Sequence, residues 1–247
     1  MSDKFVECGP KVDQQCATGG VTVALKDGSI LFTYSGPVNP HGQEPGSVRI
    51  YGCVSADGCK TWGAEQELVH HPECQATGAT LLKANDGTLW MFYMGFYRSA
   101  WRDGEPDMAE TRSDIWCVHS TDEAQTWREP RMIFNGYCGA TNGAIQTTDS
   151  HIIVPISYVV PDPGRLVSAC LVSDDNGQNF SLGEPIDLGG HGDHAGAIEP
   201  AVVELQDGRI WMLIRTTRGE FFEAFSSDHG MTWSEACPSG IRSPSAP

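Results

Sequence analysis

The sequence predicts an all-β fold, a β-propeller built from four-stranded antiparallel blades. One octapeptide pattern, S-x-D-x-G-x-T-W with some substitutions, occurs four times in the 247 residues. Its aspartates are 65 (57 to 122), 53 (122 to 175) and 53 (175 to 228) residues apart, a spacing typical of propeller blades. Runs of β-branched and aromatic residues joined by Asp-Gly turns fill the intervals, and no segment has helical periodicity over three turns.

The octapeptide itself predicts a tight turn. The copies are SADGCKTW (55–62), STDEAQTW (120–127), SDDNGQNF (173–180) and SSDHGMTW (226–233). Their aspartates, Asp57, Asp122, Asp175 and Asp228, are expected to accept hydrogen bonds from nearby backbone N–H groups. Glycine permits positive φ, and the final aromatic residue is expected to pack into the apolar layer below the turn.

The strand-like runs divide the chain into blades within a single domain, residues 1–247. Each blade is expected to contain four strands, A to D, from the inside of the ring outwards. The predicted blades are 18–70, 77–135, 141–188 and 196–241. The segment KFVEC, within residues 1–10, is a candidate outer strand that closes the ring.

Composition excludes several classes of function. A net charge of −16 argues against nucleic acid as a partner, because binding phosphates requires a basic surface. No stretch approaches the roughly 18 apolar residues of a membrane span, and the first ten residues lack a signal-peptide pattern. We therefore expect a cytoplasmic location by default, with secretion as the alternative if the chain is a fragment. The nine cysteines contain no C-x-x-C pair and are interpreted as core residues.

The four octapeptides resemble the Asp-box, or BNR repeat, of the sialidase (neuraminidase) superfamily, and the resemblance covers nearly the whole chain. It implies a six-bladed propeller whose boxes lie on the face away from the active site. The closing IRSPSAP stretch resembles the approach to another blade in that superfamily. We therefore expect the chain to be a fragment truncated at its C-terminus, a complete small propeller being the alternative. Asp-boxes also occur in proteins that are not enzymes.

Strand direction predicts two faces. The A–B turns and the Asp-boxes share one face, called here the box face. The D–A and B–C loops share the other, called here the rim face, where propellers place their sites. The rim face is expected to comprise residues 66–79, 94–113, 134–143, 158–166, 188–199 and 215–220.

Two rim residues carry the strongest functional expectation. Glu199 opens an inner strand and Arg215 ends the next strand, so both are expected on the rim face. The pair resembles the sialidase motif in which a glutamate partners the tyrosine nucleophile and an arginine binds the carboxylate of sialic acid. Arginine suits a carboxylate because its guanidinium binds in a bidentate way. The alternative is structural, with Glu199 starting a strand and Arg215 pairing with a surface acid.

Other rim residues are candidates for substrate binding. Arg218 lies close to Arg215 in sequence, and Arg98 and Arg102 accompany aromatic residues in the long loop 94–113. Arginines beside aromatic rings suit anion capture and stacking on a sugar. Asp103 and Asp107 are both candidate acids.

The D–A loops align with one another and bring further groups to the rim. Cys16, Cys74, Cys138 and His194 fall at equivalent positions, a set that offers ligands to a soft metal. Repeated small residues before a tight turn explain the same pattern, and we expect neither a metal nor any other cofactor. Asp193 and His194 remain candidates for substrate binding without a metal.

The sequence thus predicts a glycoside hydrolase acting on a terminal, acidic sugar, with Glu199 as a catalytic residue and a glycan as its partner. CATGGVTVAL has no arginine where the superfamily has its first, and only His41 and Glu44 stand where an acidic aspartate is usual. That departure favours a non-catalytic carbohydrate- or protein-binding propeller as the alternative. A further alternative is an enzyme for another sugar that uses a histidine base among residues 191–194, with activity falling below about pH 6.

Overall fold

The fold is made of β-strands. A computed structural model describes residues 18–37 and 44–243, and within these ranges the chain forms strands and turns and no helix. Accordingly, no helix able to cross a membrane is found in the described ranges. The predicted closing strand in residues 1–10, together with Cys16, His41 and residues 244–247 of IRSPSAP, lies outside them.

The first two sheets are antiparallel and contain four strands each. The first has the order β1-β2-β3-β4, with β1 (Thr18–Ala24), β2 (Ile30–Pro37), β3 (Val48–Ser55) and β4 (Gln66–Val69). The second sheet begins with β5 (Gln75–Lys83) and β6 (Leu89–Arg98). A short hairpin, β7 (Trp101–Arg102) and β8 (Glu105–Pro106), precedes β9 (Arg112–Ser120) and β10 (Arg131–Phe134). The order of the second sheet is β5-β6-β9-β10, and β7 pairs only with β8.

The third and fourth sheets follow the same plan. The third contains β11 (Cys138–Thr141), β12 (Ile145–Gln146), β13 (Ile152–Val160), β14 (Arg165–Ser173) and β15 (Ser181–Leu182). Both β11 and β12 pair with β13, so together they occupy the position of one inner strand. The fourth sheet has the order β16-β17-β18-β19, with β16 (Ile198–Glu204), β17 (Ile210–Arg215), β18 (Glu220–Ser226) and β19 (Cys237–Arg242).

Two local expectations were wrong. The sequence indicated a loop over 94–113, but β6 continues to Arg98 and a hairpin occupies 101–106. The third inner strand is broken at Gly143, whose φ of 63° interrupts the extended chain. Residues after the last Asp-box form β19, which pairs with β18, and Pro238 is accommodated because β19 is the last strand in the order of this sheet.

The Asp-boxes form as predicted. In the first box, Asp57 accepts hydrogen bonds from the backbone N–H of Lys60 (3.0 Å) and of Thr61 (2.9 Å), and from the Thr61 hydroxyl (2.6 Å). Equivalent bonds reach Asp122 and Asp228 from threonine and Asp175 from asparagine. The final aromatics pack against the apolar layer, as Phe180 does at 5.8 Å from the Phe92 ring. Because the hydrogen bonds of each box span only three or four residues, each octapeptide can fold its own turn.

Neighbouring sheets pack face to face in chain order. One cluster joins Phe92 and Ile115 of the second sheet to Ile156 and Leu171 of the third. Similar clusters join the first sheet to the second and the third to the fourth. Burying each such side chain contributes about 1.5–3 kcal/mol. The core therefore lies between the sheets, which leaves the strand ends and their loops available on the rim face.

Acid is expected to weaken the turns of the Asp-boxes. Hydrogen bonds from Thr61 and Thr126 lower the pKa of Asp57 and of Asp122 to about 2, and those from Asn179 lower that of Asp175 to about 2. A carboxyl group whose pKa is depressed by folding stabilises the fold above its unfolded pKa of about 4, and this contribution disappears as the pH falls towards 2. The melting temperature of an Asp57→Asn variant should therefore converge on that of the parent chain between pH 4 and pH 2. A difference that stays constant over this interval would contradict the prediction.

Candidate functional site

The inner strands share an irregularity at the rim face. The pairing register shifts between Thr18 and Val21, between Thr77 and Thr80, and between Ile198 and Ala201. In the second sheet the bulge contains Gly78, at φ 61°. In the fourth sheet the same place holds Glu199, at φ 49°. A residue with a side chain is disfavoured there by about 1–2 kcal/mol, and strain of this kind is concentrated at functional sites.

Glu199 and Arg215 meet at this bulge. Ile198 pairs with Arg215 across β16 and β17, which brings the two side chains together. Arg215 Nη1 donates to Glu199 Oε1 at 2.7 Å. The Arg215 side chain is 19% exposed and that of Glu199 is 44% exposed, so the pair lies at the surface with its arginine end partly sheltered. The backbone N–H of Glu199 also donates to Ser157 Oγ of the third sheet, at 3.4 Å.

The other predicted arginines do not join this pair. Arg98 forms an ion pair with Glu110 at 2.9 Å and donates to the carbonyl of Ala109. Arg218 donates to the carbonyl of Leu188 and lies over the ring of Phe222, with its Cζ 5.2 Å from the ring centroid. Arg102 is exposed on the β7–β8 hairpin, opposite Glu105.

The β7–β8 hairpin connects the loops of the second sheet to those of the third and fourth. Glu105 Oε2 accepts a hydrogen bond from Gly164 N at 2.8 Å, and its Oε1 lies 2.9 Å from His191 Nε2. The His191 ring lies so close to Gly104 that a Cβ there would be 2.4 Å from its Cε1. His191 therefore holds the loop before β16 against the hairpin.

Trp101, Asp193 and His194 are further residues of the ranges predicted for the rim face. Trp101 packs on a buried cluster that includes Ile198, the neighbour of Glu199, so the hairpin does approach the fourth inner strand. His194 has φ 64°, and its Nδ1 lies 3.3 Å from Asp193 Oδ1. Both side chains are exposed, His194 to 68%.

A second polar cluster on the rim face was not predicted. Asp114 is fully buried, and its Oδ2 accepts hydrogen bonds from Arg112 Nε (3.0 Å) and Nη2 (2.7 Å). Arg112 also lies over the Tyr97 ring, 4.2 Å from its centroid. The hydrogen bond to Asp114 raises the pKa of Arg112, and burial raises that of Tyr97 to about 12. The signal in the sequence is R-S-D at the start of an apolar strand, two opposite charges on one side of that strand.

The cysteine and histidine set is not assembled as a metal site in the described residues. Cys74 and Cys138 are almost fully buried, and burial raises the pKa of Cys74 to about 11 and that of Cys138 to about 12. The neutral thiol is a poor metal ligand. The group of three potential ligands that the described part does bring together is Asp149, His151 and His229, on the box face.

Two clefts lie between neighbouring sheets, away from the Glu199–Arg215 pair. One, of about 460 Å³, is lined by residues 184–188, Arg218, Phe222 and residues 233–236. The other, of about 350 Å³, lies between the first sheet and the second Asp-box. Neither cleft is lined by Glu199 or Arg215.

These sheets and boxes define a class of all-β protein with repeated Asp-box turns. The chain matches the BNR repeat-like domain family over residues 28–246 and belongs to it.

Solved structures of similar fold include sialidases. A protein of unknown function from Dyadobacter fermentans has a TM-score of 0.72 and 18% identity, over 92% of this chain and 70% of that one. The Hadza microbial sialidase Hz136 has a TM-score of 0.70 and 18% identity, over 91% and 47% of the two chains. The intramolecular trans-sialidase from Ruminococcus gnavus has a TM-score of 0.67 and 16% identity, over 93% and 72%. The fold is thus sialidase-like, and this chain spans about half the length of Hz136.

Proposed function

We propose that this protein is a sialidase-like glycoside hydrolase that removes a terminal acidic sugar from a glycan. The observation that carries the proposal is the Glu199–Arg215 pair, with its 2.7 Å contact and its glutamate at φ 49°. A glutamate that only began a strand would gain nothing from a strained backbone, since glycine occupies that position in the second sheet.

Each member of the pair has a defined role in the proposed reaction. Arg215 binds the carboxylate of the sugar, because a guanidinium carries five N–H donors and can contact two carboxylates at once. Glu199 accepts the proton of a phenol nucleophile. A neutral phenol is a suitable nucleophile because it is not repelled by an anionic sugar, and sialidases are the glycosidases that use tyrosine in this way.

The proposal includes a propeller with more blades than the four described sheets. The inward-facing residues of the fourth sheet, such as Met212 and Ile214, pack on the third sheet. Trp211, Leu213 and Phe225 alternate with these residues and are only partly buried, and Val203 is 45% exposed. An apolar sheet face of this kind is expected to be covered by a further sheet. That sheet would also supply the nucleophile.

The substrate class rests on the arginine and on the similar structures. The Ruminococcus gnavus trans-sialidase was solved in complex with oseltamivir carboxylate, an acidic ligand. With a net charge of −16, this chain requires a local cation to hold an anion, and Arg215 provides one beside Glu199.

Titration calorimetry with sialic acid and its unsaturated analogue tests the proposal. Replacing Arg215 by alanine is expected to weaken binding of either acid by about 100-fold, since a charge-assisted bidentate contact is lost. Arg209→Ala is the matched control, because Arg209 lies in the turn before β17, at the opposite end of that strand, where it pairs with Asp207. Equal losses in the two variants, or undiminished binding by Arg215→Ala, would contradict the role of Arg215. Activity is tested by hydrolysis of a fluorogenic sialoside with a protein that includes the further sheet, because that sheet is proposed to supply the nucleophile.

A non-catalytic glycan-binding propeller is the second candidate. One observation favours it: β1, which would carry the first arginine of the superfamily, contains none. In that case Arg215→Ala would still weaken binding, but no sialoside would be hydrolysed even by a protein that includes the sheet proposed to supply the nucleophile.

A further inference from the structure

Three potential metal ligands meet on the box face, at the junction of the third and fourth sheets. Asp149 and His151 flank Ser150 in the turn between β12 and β13, and His229 is the fourth residue of the last Asp-box. Asp149 Oδ1 lies 3.1 Å from His151 Nδ1, and Asp149 Oδ2 lies 3.3 Å from His229 Nε2. One potential ligand atom from each residue lies within 4.8 Å of the other two.

The two imidazole rings are held side by side. Their centroids are 3.7 Å apart and their planes differ by 5°. The side chains are partly sheltered, His151 to 24% exposure and His229 to 31%. His229 Nδ1 is buried and has no hydrogen-bond partner among the described residues. The other ring nitrogen of His229, Nε2, faces Asp149, so Nε2 is the atom placed to bind an ion.

The fourth residue of an Asp-box contacts the preceding sheet at another junction too, but there it is not a histidine. At the first junction the fourth box residue is Glu123, which accepts a hydrogen bond from Lys26 N and pairs with Lys26 Nζ at 3.5 Å. In these two boxes the fourth residue therefore reaches the A–B turn of the preceding sheet. At the last junction this reach brings a histidine to a turn that contains an aspartate and a second histidine.

We propose that Asp149, His151 and His229 form a binding site for one divalent transition-metal ion, with Zn²⁺ as the best-suited ion. Imidazole nitrogens with a carboxylate oxygen are a ligand set that zinc and its neighbours prefer over magnesium or calcium. Zinc bonds of about 2.0–2.2 Å place tetrahedral ligand atoms about 3.4 Å apart. The Asp149–His229 distance of 3.3 Å and the Asp149–His151 distance of 3.1 Å already meet this spacing. The His151 ring would turn out of its parallel stack on His229 when the ion binds, because an imidazole nitrogen binds a metal in the plane of its ring.

The ion would join two sheets. His151 and Asp149 belong to the third sheet and His229 to the fourth, so a shared ion crosslinks them on the face opposite Glu199 and Arg215. Three protein ligands leave a fourth tetrahedral position for water. The site is independent of the proposed hydrolase activity, because none of its residues lies on the rim face.

Calorimetric titration of the EDTA-treated, dialysed chain with Zn²⁺, in a buffer that does not bind zinc, tests the site. One ion per chain is expected, with a rise in melting temperature as the ion is added. His229→Asn and Asp149→Asn should each weaken binding at least tenfold and abolish the rise. Asparagine suits position 229 because Asn176 occupies the same box position at φ 56°, close to the 62° of His229. Mg²⁺ should produce neither effect.

His194→Asn is the matched control. His194 also has positive φ and also lies beside an aspartate, at 3.3 Å, but it is on the rim face. Its replacement should leave the zinc affinity unchanged. Absence of saturable binding at one ion per chain, or equal affinities for the parent chain, His229→Asn and Asp149→Asn, would overturn the proposal. Loss of affinity in His194→Asn alone would also overturn it, because the ion would then bind elsewhere.

Discussion

Replacing Arg112 by alanine is expected to lower the free energy of unfolding by about 3 kcal/mol, the lower end of the cost of breaking a buried ion pair. Its partner Asp114 is fully buried and receives two hydrogen bonds from the guanidinium. Without Arg112 that carboxylate keeps the backbone N–H of Gly136, at 3.1 Å, and little else. We take the lower end because Arg112 is itself 45% exposed, which gives water access to the site. Urea unfolding followed by tryptophan fluorescence measures the change.

Arg98→Ala is the control for Arg112→Ala. Arg98 lies opposite Arg112 in the register of β6 and β9, but its ion pair with Glu110 is exposed at both ends. Exposed pairs contribute about 0–1 kcal/mol, so this variant should be nearly as stable as the parent chain. Adding Asp114→Asn to Arg112→Ala should recover part of the loss, because the buried charge is removed. Equal losses for Arg98→Ala and Arg112→Ala would show that Asp114 does not depend on Arg112.

The contrast between the Asp-boxes and this cluster explains what could be predicted from sequence. Each box is closed by hydrogen bonds between residues four apart, such as Thr61 N to Asp57 Oδ1 at 2.9 Å. All the information needed is within the octapeptide, so the turn, its aspartate and the strand repeat were predicted correctly. The bonds around Asp114 include one to Gly136, which is 22 residues away. Pairings at that separation depend on strand register, which the apolar pattern of β9 does not specify by itself.

The same limit applies to the rim face. Glu199 and Arg215 were expected on the same face, because one opens an inner strand and the other ends the next, and the structure brings their side chains to 2.7 Å. The separation of Arg98, Arg102 and Arg218 from that pair could not be predicted. Their partners are Glu110, Leu188 and the residues of a hairpin, and each partner depends on how a loop folds over its neighbours.

The alignment of the D–A loops also marks the position of Glu199, and not only those of the cysteines and His194. ATGG, ATGA and ATNGA have glycine where GAIEP has Glu199. Small residues before a tight turn were the expected explanation, and positive φ at Gly78 and Gly143 agrees with it. Glu199 is the exception among these loops, since it stands where the others have glycine. It is informative because a glutamate before a proline is restricted in its backbone conformation.

Replacing Glu199 is expected to lower activity whichever residue takes its place, whereas the effect on stability should depend on that residue. If Glu199 is the proton acceptor, Glu199→Gly and Glu199→Ala should both lower the turnover of a sialoside by about 10²–10⁴-fold, measured in a protein that includes the sheet proposed to supply the nucleophile. Both also lose the ion pair with Arg215. Only glycine relieves the backbone at φ 49°, so Glu199→Gly should be more stable than Glu199→Ala by about 1–2 kcal/mol. Thermal and urea unfolding of the two variants give the comparison without depending on the substrate.

The third sheet offers the reverse substitution as a control for this strain. Gly143 has φ 63°, and a Cβ at this position would meet no atom within 4 Å. Gly143→Ala therefore introduces the backbone cost without a clash, and it should destabilise the chain by about 1–2 kcal/mol, the amount that separates the two Glu199 variants. If Glu199→Gly is no more stable than Glu199→Ala while Gly143→Ala does lose stability, the bulge at Glu199 is not strained. If Glu199→Gly retains full turnover, Glu199 is not the proton acceptor, and the pair acts through Arg215 alone.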